Sequence, residues 1–111
     1  MRLRCENKSK TGSFVYHCLN EVAITKASCE TPIRLEIYIE EEQFTITSGD
    51  GLLISTPTGS TAYALSAGGP IIHNSIRTIL IQPISPNSLS FRSICVPSNV
   101  CIRLKVLILL S

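Results

Sequence analysis

Hydrophobic and polar residues alternate over much of the chain, a pattern that predicts β-strands. The clearest case is Arg34–Glu40, where Leu35, Ile37 and Ile39 share one face and charged residues lie on the other. Strands are also expected where β-branched and aromatic residues cluster between turn-forming residues. The predicted strands cover residues 2–5, Phe14–Ile24, Arg34–Glu40, Phe44–Thr47, Leu52–Ser55, Thr78–Gln82, Ile94–Val96 and Val100–Leu109.

One short helix is predicted near residues 61–67, because Ala62–Ala67 is rich in good helix formers. Ser60 or Thr61 is its expected N-cap, and Gly68 is expected to end it. With so little helix, the chain is predicted to be mainly β, in two packed sheets or a prism-like arrangement.

Turn-forming residues predict where the strands end. Residues 7–12 and Glu40–Gln43 are expected to be turns, although the second contains no Gly or Asn. Asp50 lies between two glycines and is expected on a turn in which a glycine adopts positive φ. Pro83 is expected to end the strand that precedes it.

Composition narrows the class of protein. The chain has 111 residues, and its 44% hydrophobic content is too high for a disordered chain. A net charge of +2, with no basic cluster denser than Lys8–Lys10, predicts neither nucleic-acid binding nor attraction to a membrane surface. The five cysteines include no Cys-x-x-Cys pair, so reduced thiols are expected and a disulfide framework or zinc site is not.

The stretch Gly49–Pro70 holds the candidate chemistry. Asp50 is the only aspartate in the chain, and Thr56–Thr61 places four hydroxyls, a proline and a glycine before the predicted helix. Free N–H groups and hydroxyls at such a turn can bind a small polar ligand. A tight hairpin corner followed by a capped helix explains the same residues without a ligand.

General nucleotide and hydrolase motifs do not match this stretch. Gly59 is followed by Ser60 where a phosphate-binding P-loop requires lysine. Ile54 stands where the third glycine of a dinucleotide fingerprint would be, and no Gly-x-Ser-x-Gly nucleophile elbow is present.

Three ordered blocks nevertheless resemble the signature of NAD kinases. The central block comprises Gly49-Asp50-Gly51, Thr56-Pro57-Thr58-Gly59-Ser60-Thr61-Ala62-Tyr63 and Ala67-Gly68-Gly69-Pro70. It is preceded by Leu19-Asn20-Glu21-Val22 and followed by Pro83-Ile84-Ser85-Pro86-Asn87-Ser88-Leu89-Ser90-Phe91-Arg92. The resemblance runs from about Leu3 to Val106 and indicates the NAD kinase family.

The resemblance implies both activity and fold. NAD kinases transfer the γ-phosphoryl group of ATP, with Mg²⁺, to the 2′-hydroxyl of the adenosine ribose of NAD, which gives NADP. Their fold joins an α/β N-terminal domain to an all-β C-terminal domain, with NAD in the cleft between them, and members are usually homo-oligomers. This chain resembles only the C-terminal domain, so residues 1–111 are expected to be a single partial domain.

The resemblance also implies roles for individual residues. Asn20 would bind the adenine edge and Glu21 the adenosine ribose hydroxyls, while Asp50 would serve the nicotinamide side. The remaining contacts that would line the dinucleotide are Thr61, Ala62, Tyr63 and Ser66. Without the resemblance, Asn20 is explained as a strand-end amide that bonds backbone, and Ser66 as a helix-surface hydroxyl.

The chain departs from the family pattern in ways that limit the prediction. The catalytic Gly-Gly-Asp-Gly-Thr motif of the N-terminal domain is absent, so we expect no catalytic residue or metal ligand in this chain and no turnover by it alone. Ser48 stands where many members have a basic residue, and Asn87 replaces a common histidine. Asn74 and Ser93 each replace a common proline.

Two alternatives remain open from the sequence. One is a non-catalytic nucleotide-binding or subunit-interaction module, which the missing catalytic motif favours for the isolated chain. The weaker one is a relative of the diacylglycerol or sphingosine kinases, against which the Asn20-Glu21 pair and the Thr56–Tyr63 block argue. A cytoplasmic location is expected, and an organelle is left open.

Overall fold

The computed structural model describes residues 1–88 and 91–107. These residues form eight strands, a short 3₁₀ helix and a single-turn α-helix, so the prediction of a mainly β chain with one short helix is confirmed. The strands are β1 (Leu3–Ser9), β2 (Gly12–Cys18), β3 (Glu21–Thr25), β4 (Ile33–Ile39), β5 (Glu42–Ser55), β6 (Thr78–Pro86), β7 (Ile94–Pro97) and β8 (Ile102–Leu107). The 3₁₀ helix is Thr58–Thr61, and α1 is Tyr63–Ser66.

All strand pairs are antiparallel and belong to two sheets. Strands β1 and β2 form a two-stranded hairpin, and the larger sheet has the order β7-β6-β5-β4-β8, with β3 also paired to β5. Strand β5 is the centre of this sheet. One edge of β5 pairs first with β4 and then with β3, while its opposite edge pairs with β6.

Two apolar clusters hold the sheets together. The larger one includes Leu35 and Ile37 of β4 and Leu52 of β5, and Leu3 and Cys18 of the β1–β2 hairpin pack into it. The smaller one joins Leu53 and Leu80 to Ala64 of α1. Burial of large aliphatic side chains drives both contacts, each fully buried side chain contributing about 1.5–3 kcal/mol. The second cluster fixes α1 against the face of β5.

The predicted long strand Phe14–Ile24 is wrong in its extent. The chain bends at Leu19–Asn20, so that β2 pairs with β1 whereas β3 pairs with β5. β-Branched and aromatic residues occur on both sides of the bend, and no Gly or Pro marks it, which is why the sequence did not reveal it.

The predicted turn at Asp50 is also wrong, because β5 runs without interruption through Gly49, Asp50 and Gly51. Neither glycine has positive φ. They are needed for close packing instead: a Cβ at Gly49 would lie 2.6 Å from the carbonyl oxygen of Ser85, and one at Gly51 would lie 2.3 Å from that of Ile24. The backbone of β5 is therefore tightly enclosed on both sides of Asp50.

Two strand ends also differ from expectation. Strand β6 continues through Pro83, which lies opposite Leu52 of β5. Strand β7 pairs with β6 only as far as Ile81. Pro83, which has no N–H group, is tolerated beyond that point because no β7 residue pairs with it. Strand β8 begins at Ile102 and not at the predicted Val100, and Ile108 and Leu109 of the predicted strand lie outside the described residues.

The connection between β4 and β5 is a tight two-residue turn. Its central residues, Glu40 and Glu41, have φ values of 53° and 66°. Both positions are left-handed, as a type I′ hairpin turn requires. The predicted turn is thus present, with β5 beginning earlier than expected, at Glu42.

Candidate functional site

Asn20 and Glu21 lie where the chain leaves the β1–β2 hairpin and enters β3. Asn20 is exposed at the bend, and Glu21 opens β3 opposite Ser55. The backbone carbonyl of Asn20 accepts a hydrogen bond from the N–H of Thr56 at 2.9 Å. The bend is therefore fastened to the end of β5.

Thr56 joins this bend to the hydroxyl-rich turn. Its side chain is fully buried, and its Oγ1 lies 2.6 Å from the carbonyl oxygen of Leu19 and accepts a hydrogen bond from the N–H of Gly59 at 3.0 Å. A Cβ at Gly59 would lie 2.1 Å from the carbonyl oxygen of Asn20. Only glycine allows the turn and the bend to approach this closely.

The helical residues of the predicted site follow directly. Thr61 is exposed, and its Oγ1 donates to the carbonyl oxygen of Thr58 at 3.1 Å. Ala62 is half-buried and donates its N–H to Gly59 at 3.0 Å. Tyr63 and Ser66 are exposed at the two ends of α1.

The predicted N-cap of α1 is wrong. Neither Ser60 nor Thr61 caps it, because both belong to the 3₁₀ helix and Ala62 occupies the cap position without a side-chain hydrogen bond. Ser60 is buried: its Oγ donates to Pro57 at 2.6 Å and accepts from the N–H of Ile72 at 2.9 Å. Its hydroxyl therefore holds the segment that follows the helix. Gly68, with φ of 90°, ends α1 as predicted.

One hydrogen bond brings the two halves of the predicted site together. Oε1 of Glu21 accepts a hydrogen bond from the backbone N–H of Tyr63 at 3.2 Å, across 42 residues of sequence. The N–H belongs to the first residue of α1 and has no partner within the helix. The Glu21 carboxylate thus orients α1 while keeping acceptor capacity for a ligand, since a carboxylate offers about four lone-pair sites.

Asp50 lies at the other end of β3 from this contact. Glu21 faces Ser55, whereas Thr25 faces Gly51, so about five residues of extended strand, roughly 16 Å, separate the two carboxylates. Oδ1 of Asp50 forms an ion pair with Nζ of Lys26 at 2.9 Å. The structure therefore brings Asn20, Glu21 and the helical residues together, and sets Asp50 apart from them.

Two residues at which the chain departs from the NAD kinase pattern lie against each other. Nδ2 of Asn87 donates to Oγ of Ser48 at 3.1 Å, and the N–H of Asn87 donates to the Ser48 carbonyl at 2.8 Å. They line a cavity of about 450 Å³ that the predicted dinucleotide contacts do not line. The predicted site is instead a surface of exposed and half-buried residues.

The sequence did not identify Lys26 and Thr56 as residues that support the site. Thr56 belongs to the hydroxyl-rich block. Its contact with Leu19 could not be predicted, because it depends on the bend at Leu19–Asn20 that the sequence did not indicate. The position of Lys26 opposite Asp50 follows from the β3–β5 register, which the sequence does not show. Neither contact has a signal in local sequence.

Possible metal ligands and membrane-spanning helices were sought in the part of the chain that the structure describes. Residues 1–88 and 91–107 bring together no three His, Cys, Asp or Glu side chains in a group that could hold a metal ion. The described helices, which are at most four residues long, include none that could cross a membrane.

Comparison with known proteins identifies the family. The model of the ATP-NAD kinase C-terminal domain matches residues 19–109. Among curated proteins, the mitochondrial NADH kinase pos5 of Schizosaccharomyces pombe is 44% identical over 99 residues, which are 89% of this chain and 26% of that protein. An NAD kinase of Aquifex aeolicus is 41% identical over 104 residues, which are 94% of this chain and 37% of that protein.

Solved structures agree with these matches. The crystal structure of yeast NADH kinase complexed with NADH superposes with a TM-score of 0.94 at 41% identity, over 99% of this chain and 31% of that one. This chain thus spans about a quarter to a third of the length of these relatives. The chain belongs to the ATP-NAD kinase family, and the part of the family that it matches is the C-terminal domain.

Proposed function

We propose that this chain is the dinucleotide-binding part of an ATP-dependent NAD kinase, which phosphorylates the 2′-hydroxyl of the adenosine ribose of NAD to give NADP. Family membership supports the proposal, and favours it over the lipid kinase alternative. The observation that carries it is the hydrogen bond from Tyr63 to Glu21, because it unites the Asn20-Glu21 block with the Thr56–Tyr63 block on one surface.

Each half of that surface has a role in the proposal. The exposed amide of Asn20 bonds the adenine edge, which presents both a donor and an acceptor. The Glu21 carboxylate accepts hydrogen bonds from the ribose hydroxyls while the Tyr63 N–H holds it in place. Thr61, Ala62, Tyr63 and Ser66 then line the dinucleotide along the helical segment.

Asp50 has a separate role at the nicotinamide side. Its distance from Glu21 along β3 suits a contact with the opposite end of an extended ligand. A carboxylate accepts hydrogen bonds from hydroxyl or amide donors, which both occur on that nucleoside.

The chain contributes binding and orientation, not the reacting groups. Phosphoryl transfer depends mainly on holding the attacking hydroxyl and the phosphate in line. By fixing the adenosine ribose, Glu21 and its neighbours orient the 2′-hydroxyl toward the phosphoryl donor. Since the sequence lacks the Gly-Gly-Asp-Gly-Thr motif, we propose that these 111 residues alone are a non-catalytic binding module.

The remaining elements of the proposal concern cofactor, assembly and location. Mg²⁺ would accompany ATP, but the described residues offer no group that fits a metal ion, so we derive no step through it. Residues 1–111 act as one partial domain of a homo-oligomeric enzyme. The outer edges of β7 and β8, at the two ends of the large sheet, support this because exposed edges pair readily with further strands. The enzyme acts in the cytoplasm or in an organelle, as the name of its mitochondrial relative allows.

The experiment is an NADP assay on the protein expressed at the full length that its gene encodes. Purified protein is incubated with NAD, ATP and magnesium, and NADP is measured with an NADP-specific dehydrogenase; NADH is tested in parallel. ATP-dependent NADP formation supports the proposal. Binding of NAD without turnover would leave only the non-catalytic module, and robust turnover by residues 1–111 alone would contradict our assignment of catalysis to residues outside this chain.

A further inference from the structure

Lys26 holds Asp50 through two contacts. Its Nζ lies 2.9 Å from Oδ1 of Asp50, and its backbone N–H donates to the Asp50 carbonyl at 2.9 Å. The β3–β5 register, in which Thr25 faces Gly51, places the two residues directly opposite each other. A single residue thus fixes both the backbone and the carboxylate of Asp50.

The surroundings of the pair limit its movement. Nζ of Lys26 also donates to the carbonyl oxygen of Cys29 at 3.3 Å, which ties the ammonium to the loop after β3. The glycines on either side of Asp50 pack so closely against Ile24 and Ser85 that β5 cannot shift there. The Asp50 side chain is 46% exposed, so one side of the carboxylate faces solvent while Oδ1 contacts the ammonium.

This arrangement fits the positioning of a ligand-binding group better than a contribution to folding. An ion pair as exposed as this one contributes little to stability, because water competes for both charges. The same contact still favours one orientation of the carboxylate, by up to the free energy of the pair itself. With Oδ1 held by the ammonium, the carboxylate presents its other oxygen to a hydroxyl or amide donor in a fixed direction.

We propose that Lys26 is a positioning residue, which orients the Asp50 carboxylate for recognition of the dinucleotide. The inference rests on the proposed function, within which it assigns a role to a residue outside the family blocks. Without Lys26, Asp50 would rotate freely, and the ligand would have to order it on binding.

The test is a double-mutant cycle in the full-length protein. Lys26→Met, Lys26→Arg, Asp50→Asn and the Lys26→Met/Asp50→Asn double variant are compared by kcat and by KM for NAD. We expect Lys26→Met to raise KM about 2–5-fold with kcat within about 1.5-fold, and Lys26→Arg to restore KM to within about 1.5-fold. The double variant should match Asp50→Asn alone, because Lys26 acts only through Asp50.

Controls separate positioning from folding. Lys10→Met, at an exposed lysine in the β1–β2 turn, should leave both constants unchanged. Thermal unfolding of every variant should show similar midpoints, and Lys26→Gln replaces Lys26→Met if the latter does not fold. An unchanged KM in the Lys26 variant, or effects of Lys26 and Asp50 that multiply in the double variant, would overturn the inference.

Failure of the proposed function is distinguishable from failure of the inference. If wild-type protein forms no NADP, the kinase proposal fails, and calorimetric NAD binding by the same four variants decides the role of Lys26. The expected pattern is then the same loss in Lys26→Met, in Asp50→Asn and in their combination. An absence of NAD binding by wild-type protein would overturn both.

Discussion

The carboxylate of Glu21 and the backbone N–H of Tyr63 form a hydrogen bond of 3.2 Å that joins the start of β3 to the start of α1. Negative charge at this end of a helix is favourable, because the first N–H groups have no partner within the helix. Glu21 thus serves both the local fold and the proposed ligand site.

Replacement of Glu21 should separate these two roles. Glu21→Gln keeps an oxygen for the Tyr63 N–H but removes the charge, whereas Glu21→Ala removes both. We expect each variant to weaken NAD binding by about 1.5–3 kcal/mol through loss of a charged acceptor. Glu21→Ala should also lower the unfolding midpoint, and by more than Glu21→Gln, which keeps a neutral acceptor for the Tyr63 N–H. Calorimetry and thermal unfolding measure the two effects, with Glu30→Gln in the exposed loop as control. Unchanged NAD affinity in both variants would remove Glu21 from the site.

Thr56 should prove essential for holding the bend against the turn. Thr56→Val keeps the shape of the side chain but leaves the buried N–H of Gly59 without its acceptor, at a cost of about 1–3 kcal/mol. Thr56→Ser retains the hydroxyl and should lose less. Denaturant unfolding of the two variants gives the comparison. Equal stability of Thr56→Val and wild type would show that this hydroxyl does not join the two segments.

Gly59→Ala should disrupt the same contact from the other side. Its Cβ would lie 2.1 Å from the Asn20 carbonyl oxygen, so the bend would have to move away. We expect a loss of about 1–3 kcal/mol in stability, as for other overpacked sites, together with weaker NAD binding. Thr58→Ala, at an exposed neighbour in the same turn, should stay within about 0.5 kcal/mol of wild type. A Gly59→Ala variant as stable as Thr58→Ala would contradict the close packing described here.

The turn between β4 and β5 offers a stabilising substitution. Glu41 has φ of 66°, a conformation that is costly for any residue with a Cβ, and its ion pair with Arg103 is exposed. Glu41→Gly should therefore raise stability by about 0.5–1 kcal/mol, roughly 3–6 °C in melting temperature. Glu42→Gly, one residue further and inside β5, should lower it instead. If both variants melt at lower temperature, the left-handed turn is not a source of strain.

Tyr38 should make stability depend on pH in the alkaline range. Its hydroxyl donates to Oε2 of Glu36 at 2.5 Å, and this hydrogen bond, followed by partial burial, raises the pKa of Tyr38. The Arg103 guanidinium, 4.0 Å from the ring centroid, opposes the shift. A raised pKa in the folded state stabilises the protein below the unfolded value of about 10. That contribution is lost as the pH rises through the pKa of the folded state.

Tyrosinate absorbance between about pH 9 and 12 tests this, since the unperturbed tyrosine pKa is about 10. Tyr38→Phe should remove a tyrosine whose pKa is raised above its ordinary value, and its melting temperature should fall less steeply with pH than that of wild type. Tyr16→Phe, at an exposed tyrosine of β2, is the matched control. If the tyrosine that Tyr38→Phe removes ionises below the ordinary tyrosine pKa of about 10, the pKa of Tyr38 is not raised in the folded protein.

Much of the fold could be predicted from local patterns. Alternating apolar residues located β4 and β8, because side chains of a strand point to opposite faces, and apolar, β-branched or aromatic runs located most other strands. The short helix and its end at Gly68 followed from composition and from the need for a left-handed residue. The family blocks pointed to NAD kinases, and the family match confirmed it.

Other features depended on partners that are distant in sequence. The composition of Phe14–Ile24 suited one strand. In the structure its first half pairs with β1 and its second half with β5, and the chain bends between them at Asn20. The glycines around Asp50 suggested a turn, but Ile24 and Ser85 press against them from neighbouring strands. Pro83 suggested a strand end. It lies inside β6 because β7 pairs with β6 only as far as Ile81, so no β7 residue pairs with β6 at Pro83.

The sequence by itself thus determined which segments are strands, where the helical turn lies and to which family the chain belongs, because each depends on the order of neighbouring residues. Only the tertiary structure decided that Glu21 meets Tyr63 and that Lys26 meets Asp50. Those contacts follow from strand register and from the packing of α1 on β5, which are set by burial of side chains far apart in the chain.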